Sequence, residues 1–313
     1  MPYRVLVDVP LPEEMHAMLG PDCAVHIWPA DPDLALLRSV EGLLTYGHPT
    51  VDGAVMDRMP RLRVISNFGV GVDHIDLEAA RQRGIPVGNT PHVLDGATAD
   101  MTFALILAAA RNITIGDRYA RGPDFTHYDP NILLGTEVHG ATLGIVGMGN
   151  IGRQVARRAR GFDMTVLYHN RNRNLQAEAE LGVIYASLPE LLRRADFVSL
   201  NLPLTAETRH LIGRDQLALM KPTAILVNVA RGGVLDHSAL VEALAQGWIA
   251  GAALDVTEPE PLPRDHPLLT MEDVIITPHL GSATRQTRRA MARLTVDNLL
   301  AGLAGKPLPC RVA

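Results

Sequence analysis

The run Gly147-Met148-Gly149-Asn150-Ile151-Gly152 constrains this chain more than any other stretch. It reads G-x-G-x-x-G. Glycines are common in turns, so the spacing alone indicates only a tight bend, but the flanks sharpen it. The apolar, strand-like residues 142–146 lead directly into Gly147, and a helical run over residues 151–160 follows Asn150. Strand, glycine turn and helix in that order form the arrangement in which a backbone cradles a dinucleotide pyrophosphate. Glycines permit the turn and the close approach, and the helix N-terminus contributes N–H groups and partial positive charge. Gly147, Gly149 and Gly152 are expected to shape the turn. Asn150 and Ile151 are expected to present backbone N–H groups to the pyrophosphate.

The rest of the chain agrees with such a unit. Short apolar runs alternate with helical segments almost throughout, which predicts βαβ units and parallel sheets. The first third carries the strand candidates RVLVDV, AVHIW, GLLTYG, RVISNFGVG and PVGNT, with helical stretches such as LPEEMHAML and DLEAARQRG between them. This predicts a small doubly wound unit ending near Thr90. A helix starting after Asp95 includes MTFALILAAA (101–110) and is expected to be buried between two domains. Further strands are expected at 142–147, 164–168, 197–201, 224–229, 251–255 and 274–277. Ser187 and Glu190 have the spacing of a capping box, and Asp236 and Gly247 bracket another helix. The amphipathic stretch 285–305 is expected to return to the first unit. The expected domains are therefore 1–95 with 287–313, and 96–286 for the dinucleotide-binding domain with the linking helix.

Composition narrows the function classes. A length of 313 residues suits about two domains, and 47% hydrophobic with 20% charged residues describes an ordinary globular chain. A net charge of −5 gives no basic surface for nucleic acid or an anionic membrane. The two cysteines, Cys23 and Cys310, read as reduced thiols of a cytoplasmic protein, and no Cys/His cluster suggests a metal. The longest apolar stretch is half of what a bilayer requires, and the N-terminal run is too short for a signal peptide.

The residue that follows the second strand of a dinucleotide fold reads the ribose. Here Asn170 stands 18 residues after Gly152, with Arg171 and Arg173 close behind. An acid would accept bonds from the ribose hydroxyls and repel a 2′-phosphate. Asn with guanidinium groups does the reverse, because Arg matches phosphate geometry. The loop therefore favours NADP(H), with NAD(H) as the alternative and a merely solvated basic loop as the plain one.

Three polar residues stand just past predicted strand ends, where open α/β sheets place ligands. They are Arg231 in ILVNVARGGVLD, Glu260 in AALDVTEPEPLP and His279 in VIITPHLGSA. Singly each has an ordinary explanation: a surface charge, a loop acid, a satisfied histidine. Together with GMGNIG and NVARGGVLD they resemble the D-isomer-specific 2-hydroxyacid dehydrogenase family. The resemblance spans nearly the whole chain and includes NFGVGVDHID and GIPVGNTP. LDVTEPEPLPRDHPLL, ITPHLGSAT and VLYHNRNR are similar to the glyoxylate/hydroxypyruvate reductase branch and its NADPH-using members.

The resemblance implies a Rossmann-type nucleotide domain with a smaller flavodoxin-like substrate domain, both doubly wound. It implies reduction of a small 2-keto acid to the D-2-hydroxy acid by a homodimer. Arg231 matches the arginine that binds the substrate carboxylate and polarises the keto oxygen. His279 matches the acid that protonates that oxygen, and Glu260 its carboxylate partner. Histidine gives and takes protons near neutrality, and a carboxylate favours its charged form. By the same resemblance Thr98, Pro203, Thr208, Val229, Asp255, His279 and Gly281 line the cofactor, and Val70 and Gly71 hold the substrate carboxylate. Read locally, Asp255 is equally a turn cap.

One departure concerns the substrate. Hydroxypyruvate-using members often carry a tryptophan in the segment that here reads GPDFTHYDPNILLGTEVHG. This chain has Phe125 and Tyr128 there, and its tryptophans are Trp28 and Trp248. Two other readings stand beside the reductase: a dehydrogenase of another small anion such as phosphite, and a nucleotide-sensing binding protein of the same fold. Glu260 speaks against the formate branch, which carries glutamine there.

Overall fold

The computed structural model describes residues 2–28, 33–47 and 49–313. Two parallel sheets organise them. Strands β1 (Tyr3–Val7), β2 (Cys23–Ile27), β3 (Gly42–Thr45), β4 (Val64–Asn67) and β5 (Val87–Gly88) form one sheet in the order β2-β1-β3-β4-β5. Strands β6 (Thr142–Val146), β7 (Thr165–His169), β8 (Ile184–Tyr185), β9 (Phe197–Leu200), β10 (Ile225–Asn228), β11 (Gly251–Leu254) and β12 (Val274–Ile276) form the other, in the order β12-β11-β10-β9-β6-β7-β8. Counted from β6, this is the 3-2-1-4-5-6 nucleotide-binding order with one strand added, and the strand order reverses between β6 and β9. The first sheet has the flavodoxin-like order 2-1-3-4-5.

The strands are apolar on both faces because helices cover both faces. In β10, Ile225 and Val227 join one hydrophobic cluster and Leu226 the other, as the two-residue period of a strand demands. The eighth strand was not expected. Two residues carry no periodicity signal, and Ile184 lies largely exposed.

The chain divides into two compact units. One comprises the residues up to Leu94 with Thr284–Ala313, the other Asp95–Ala283. In the first unit the helix Arg285–Leu303 lies on the five-stranded sheet. Gly302 sits so close to Val64 that a Cβ would fall 2.5 Å from it, and Ser66 Oγ donates to Thr295 O at 2.7 Å. In the second unit the helix Asp95–Ala110 buries Ala99, Phe103, Leu105 and Ile106 in one cluster with Leu143 and Ile145.

Local caps follow the sequence with one exception. Asp236 accepts from Ser238 and Ala239 N–H groups, and Gly247 takes φ +66° just past that helix. Ser187 accepts from Glu190 N at 3.4 Å, but the Glu190 carboxylate turns to Arg194 at 2.7 Å, so the expected box closes on one side only. The ion pair one turn along the helix takes the carboxylate. Among the described residues no helix is long and apolar enough to cross a membrane.

Candidate active site

The glycine turn follows β6 at the point where the strand order reverses. Gly147 has φ +104°, and a Cβ there would lie 2.5 Å from Asn201 O on the neighbouring β9 loop. At Gly152 a Cβ would lie 2.1 Å from Gly147 O, so the helix Asn150–Ala159 packs directly on the turn. Gly149 differs: a Cβ there meets nothing within 4 Å. It is the N-cap, and it brings no side chain to the first-turn amides. Two glycines are therefore required by the fold, while the middle one keeps a space open in front of a helix N-terminus. That space suits a pyrophosphate.

The loop after β7 braces this turn. Met148 N donates to Asn170 Oδ1 at 2.7 Å, and Asn174 Nδ2 donates to Met148 O at 3.1 Å. Both ends of the Met148 residue are thereby held. Arg171 is exposed, and its charge helps to keep the Glu207 carboxyl below its ordinary range, after the Thr205 hydroxyl bond and a backbone bond. Arg173 is engaged differently. Its Nε and Nη2 donate to the two oxygens of Glu178, at 3.1 and 2.5 Å.

The loops after β10, β11 and β12 carry Arg231, Glu260 and His279. Arg231 is extended (φ −144°, ψ 145°), and the buried Asn228 fixes it by donating to Arg231 O at 2.9 Å and accepting from Ala230 N at 3.0 Å. Gly232 follows because a Cβ there would fall 2.0 Å from Thr257 O. Nδ1 of His279 donates to Glu260 Oε1 at 2.7 Å, and Thr257 N donates to Glu260 Oε2 at 3.2 Å. Burial is the largest influence on the Glu260 carboxyl and works to raise its pKa. The His279 bond and charge, the Thr257 N–H and the Arg231 charge together hold it below the usual value.

This geometry coincides with a sequence match. A family model described as the D-isomer specific 2-hydroxyacid dehydrogenase NAD binding domain matches residues 103–281. The chain belongs to the D-isomer specific 2-hydroxyacid dehydrogenase family. It is 45% identical over 322 residues to a glyoxylate reductase of Pyrococcus furiosus, covering 100% of this chain and 96% of that one. A Thermus thermophilus protein of known structure is 48% identical with a TM-score of 0.90, over 99% of this chain and 100% of that one. The NADPH-dependent glyoxylate/hydroxypyruvate reductase of Sinorhizobium meliloti, solved with NADP and malonate, is 33% identical with a TM-score of 0.91, over 100% of this chain and 97% of that one.

As a family member the chain is an NAD(P)-dependent oxidoreductase of the glyoxylate reductase branch. In its second unit Asp255, buried at the end of β11, takes the part of a latch. Oδ1 accepts from Thr277 Oγ1 at 2.6 Å and Leu280 N at 2.7 Å, and Oδ2 accepts from Gly281 N at 2.7 Å. A carboxylate has about four lone-pair sites, so three donors nearly fill it. His279 sits inside this latched loop with φ +56°, its N–H bonded to Asp255 O at 3.0 Å. Thr98 lies beside Gly281, within 3.4 Å of the Cβ position. Thr208 Oγ1 donates to Pro203 O and accepts from Thr205 N, both at 2.7 Å, and Val229 is buried just past β10.

Val70 and Gly71 belong to the first unit, on the loop after β4. Asn67 Nδ2 donates to Gly69 O at 3.0 Å and Gly71 O at 2.9 Å, and Asn89 Nδ2 donates to Val70 O at 2.9 Å. In a planar trans peptide the C=O and the next N–H point oppositely. Pinning Gly69 O and Val70 O therefore turns the N–H groups of Val70 and Gly71 the other way. Phe68, beside them, stacks on Tyr46 at 4.3 Å and carries the Arg288 guanidinium 5.6 Å from its ring centroid.

Sequence reasoning missed these braces. Asn67 and Asn228 each end an apolar strand, which is the signal that was available. It also missed Glu258, whose oxygens accept from Arg209 Nη1 at 2.7 Å and His210 Nε2 at 3.0 Å, tying the β9 loop to the β11 loop. Burial works to raise the Glu258 carboxyl, and those two bonds hold it below its ordinary value. Among the described residues no group of three or more His, Cys, Asp or Glu could hold a metal ion.

Proposed function

We propose that this chain reduces a small 2-keto acid, glyoxylate or hydroxypyruvate first, to the D-2-hydroxy acid, with NADPH preferred over NADH. The observation that carries the reading is the 2.7 Å bond between His279 and Glu260 on loops at the C-terminal end of the nucleotide-binding sheet. The relatives named glyoxylate reductase support the substrate class.

The nicotinamide cofactor supplies the hydride when bound. The chain supplies the rest. His279 delivers a proton from Nε2 to the keto oxygen, while Glu260 orients the ring and stabilises its charged form. Arg231 clamps the substrate carboxylate and polarises the carbonyl. On the first unit, the N–H groups of Val70 and Gly71 suit a carboxylate. This makes the first unit the substrate domain. Gly147, Gly149, Asn150, Ile151 and Gly152 hold the pyrophosphate. Asn170 and Arg171 face the ribose end, where Arg171 favours a 2′-phosphate. Thr98, Pro203, Thr208, Val229 and Gly281 line the cofactor, and Asp255 offers its remaining lone pair to the carboxamide.

The active form in this reading is a cytoplasmic homodimer. Support comes from exposed apolar side chains concentrated on residues 113–134: Ile113, Phe125, Tyr128 at 81% exposure and Leu134 at 76%. Large exposed apolar side chains of this kind suit a subunit interface.

The test follows cofactor oxidation at about 340 nm, the band of reduced nicotinamide. NADPH and NADH are each paired with glyoxylate, hydroxypyruvate, pyruvate and an aromatic keto acid. Fast NADPH oxidation with either of the first two supports the reading. Activity with the aromatic acid alone moves the substrate. Silence with every keto acid despite tight NADPH binding turns the assignment to phosphite or a nucleotide sensor.

A further inference from the structure

The loop after β7 carries two arginines, and the structure treats them differently. Arg171 has no ion pair among the described residues, whereas both oxygens of Glu178 face the Arg173 fork. Glu178 is itself anchored. Its Oε1 also accepts from Tyr168 Oη at 2.6 Å, and the Tyr168 ring is fully buried in the sheet. Tyr168 Oη in turn accepts from Asn174 N at 2.7 Å, and Asn174 Nδ2 reaches Met148 O in the glycine turn. Arg173 is held from a second side, with its guanidinium 5.5 Å from the Tyr185 ring centroid.

We propose that Glu178 is a cofactor-specificity residue: it withholds Arg173 from the ribose end, so that Arg171 alone reads a 2′-phosphate. The proposal rests on the reading that the ribose end lies at the β7 loop. Arg173 stands two residues beyond Arg171 in that loop, before the helix Leu175–Leu181. A phosphate competing for it meets a carboxylate already seated bidentately, the geometry that a guanidinium matches best. The carboxylate cannot follow Arg173 outward, because Tyr168 ties it to the sheet. The charge pairing agrees: the Arg173 bond is the largest cause holding the Glu178 carboxyl below its ordinary value, and the Glu178 bond raises Arg173. Glu178 thus tempers the preference for a phosphorylated ribose.

The experiment is calorimetric titration of the purified full chain with 2′,5′-ADP and with 5′-AMP, which differ only in the 2′-phosphate. Glu178→Gln keeps an acceptor for Tyr168 and removes the charge. It is expected to tighten 2′,5′-ADP about five- to tenfold and leave AMP unchanged, since a released guanidinium adds one charge-assisted contact. In an Arg171→Ala background the same change is expected to restore part of the lost 2′,5′-ADP affinity. Unchanged 2′,5′-ADP affinity in both backgrounds, or equal tightening of both nucleotides, overturns the proposal. Glu178→Ala carries the same test should the glutamine variant bind neither probe. An Arg171→Ala variant whose 2′,5′-ADP to AMP ratio stays at the wild-type value instead removes Arg171 from the proposed function, while the Glu178 arm still reports on Arg173.

Discussion

His279 and Glu260 meet through a 2.7 Å hydrogen bond, yet each is held in place by contacts that do not involve the other. His279 is fixed by the Asp255 latch, which bonds Thr277, Leu280 and Gly281 around it. Glu260 is fixed by the Thr257 N–H. The His279 backbone and the Glu260 carboxylate are therefore placed by their loops, and the bond between them orients the imidazole ring.

His279→Ala is expected to lower turnover by about 10²- to 10⁴-fold, the usual worth of a positioned general acid, with NADPH binding near normal. Glu260→Gln is expected to lower turnover less, because the ring keeps a hydrogen-bond acceptor and loses only its carboxylate charge. Steady-state rates against pH check both. Wild-type turnover in His279→Ala sinks the mechanism.

Asp255→Ala leaves three donors without their acceptor. Only Gly281 N of the three is buried, and at about 1–3 kcal/mol for a buried donor left unsatisfied, unfolding free energy is expected to fall by about 1–3 kcal/mol. Turnover is expected to drop as well, because the His279 loop loosens. A denaturant midpoint and a rate measured together decide it. Unaltered stability would mean that the latch is ornamental.

The glycines separate fold from function. Gly147→Ala forces a Cβ to 2.5 Å from Asn201 O at φ +104°, so destabilisation of about 1–3 kcal/mol is expected. Gly149→Ala meets nothing within 4 Å. Its Tm is expected to match wild type while NADPH binds on the order of tenfold more weakly, about 1.4 kcal/mol. Full NADPH affinity in Gly149→Ala would remove that glycine from the cofactor site.

His237 is buried, and burial is the largest cause lowering its pKa below the ordinary value. A lowered folded value means that the unfolded chain binds more protons in the window between the two. The stabilisation from a neutral His237 is therefore complete above about pH 6.5 and is lost as pH falls through the folded value. His237→Leu is expected to lose less stability than wild type between about pH 7 and pH 5. Parallel stability-against-pH curves would show that His237 does not titrate on unfolding.

Legibility differed between kinds of residue. The glycine spacing, the apolar runs and the three polar residues past strand ends were visible because each is a local pattern: a turn, a period of two, a break in an apolar run. The roles of neighbours in one loop were not. Asn170, Arg171 and Arg173 look alike as a basic stretch, but one braces the Met148 turn, one is exposed and one is locked to Glu178. Asp255 read equally well as a cofactor contact or a turn cap, and it is bonded as a cap to residues more than twenty positions away.

The sequence by itself determined the strand–turn–helix unit, the alternation that makes both sheets parallel, and the identity of the candidate acid, its carboxylate and the arginine. Those follow from backbone sterics and local periodicity, which a chain carries wherever it goes. Only the tertiary structure decided which polar groups are spent. Long-range bonds consume Asp255 on the His279 loop and Glu258 on Arg209 and His210, while bonds within one loop or its following helix consume Asn67 on the Gly69 and Gly71 carbonyls and Arg173 on Glu178. Whether a side chain faces a ligand or braces the loop that does depends on distances across strands, and these exist only once the sheets have formed.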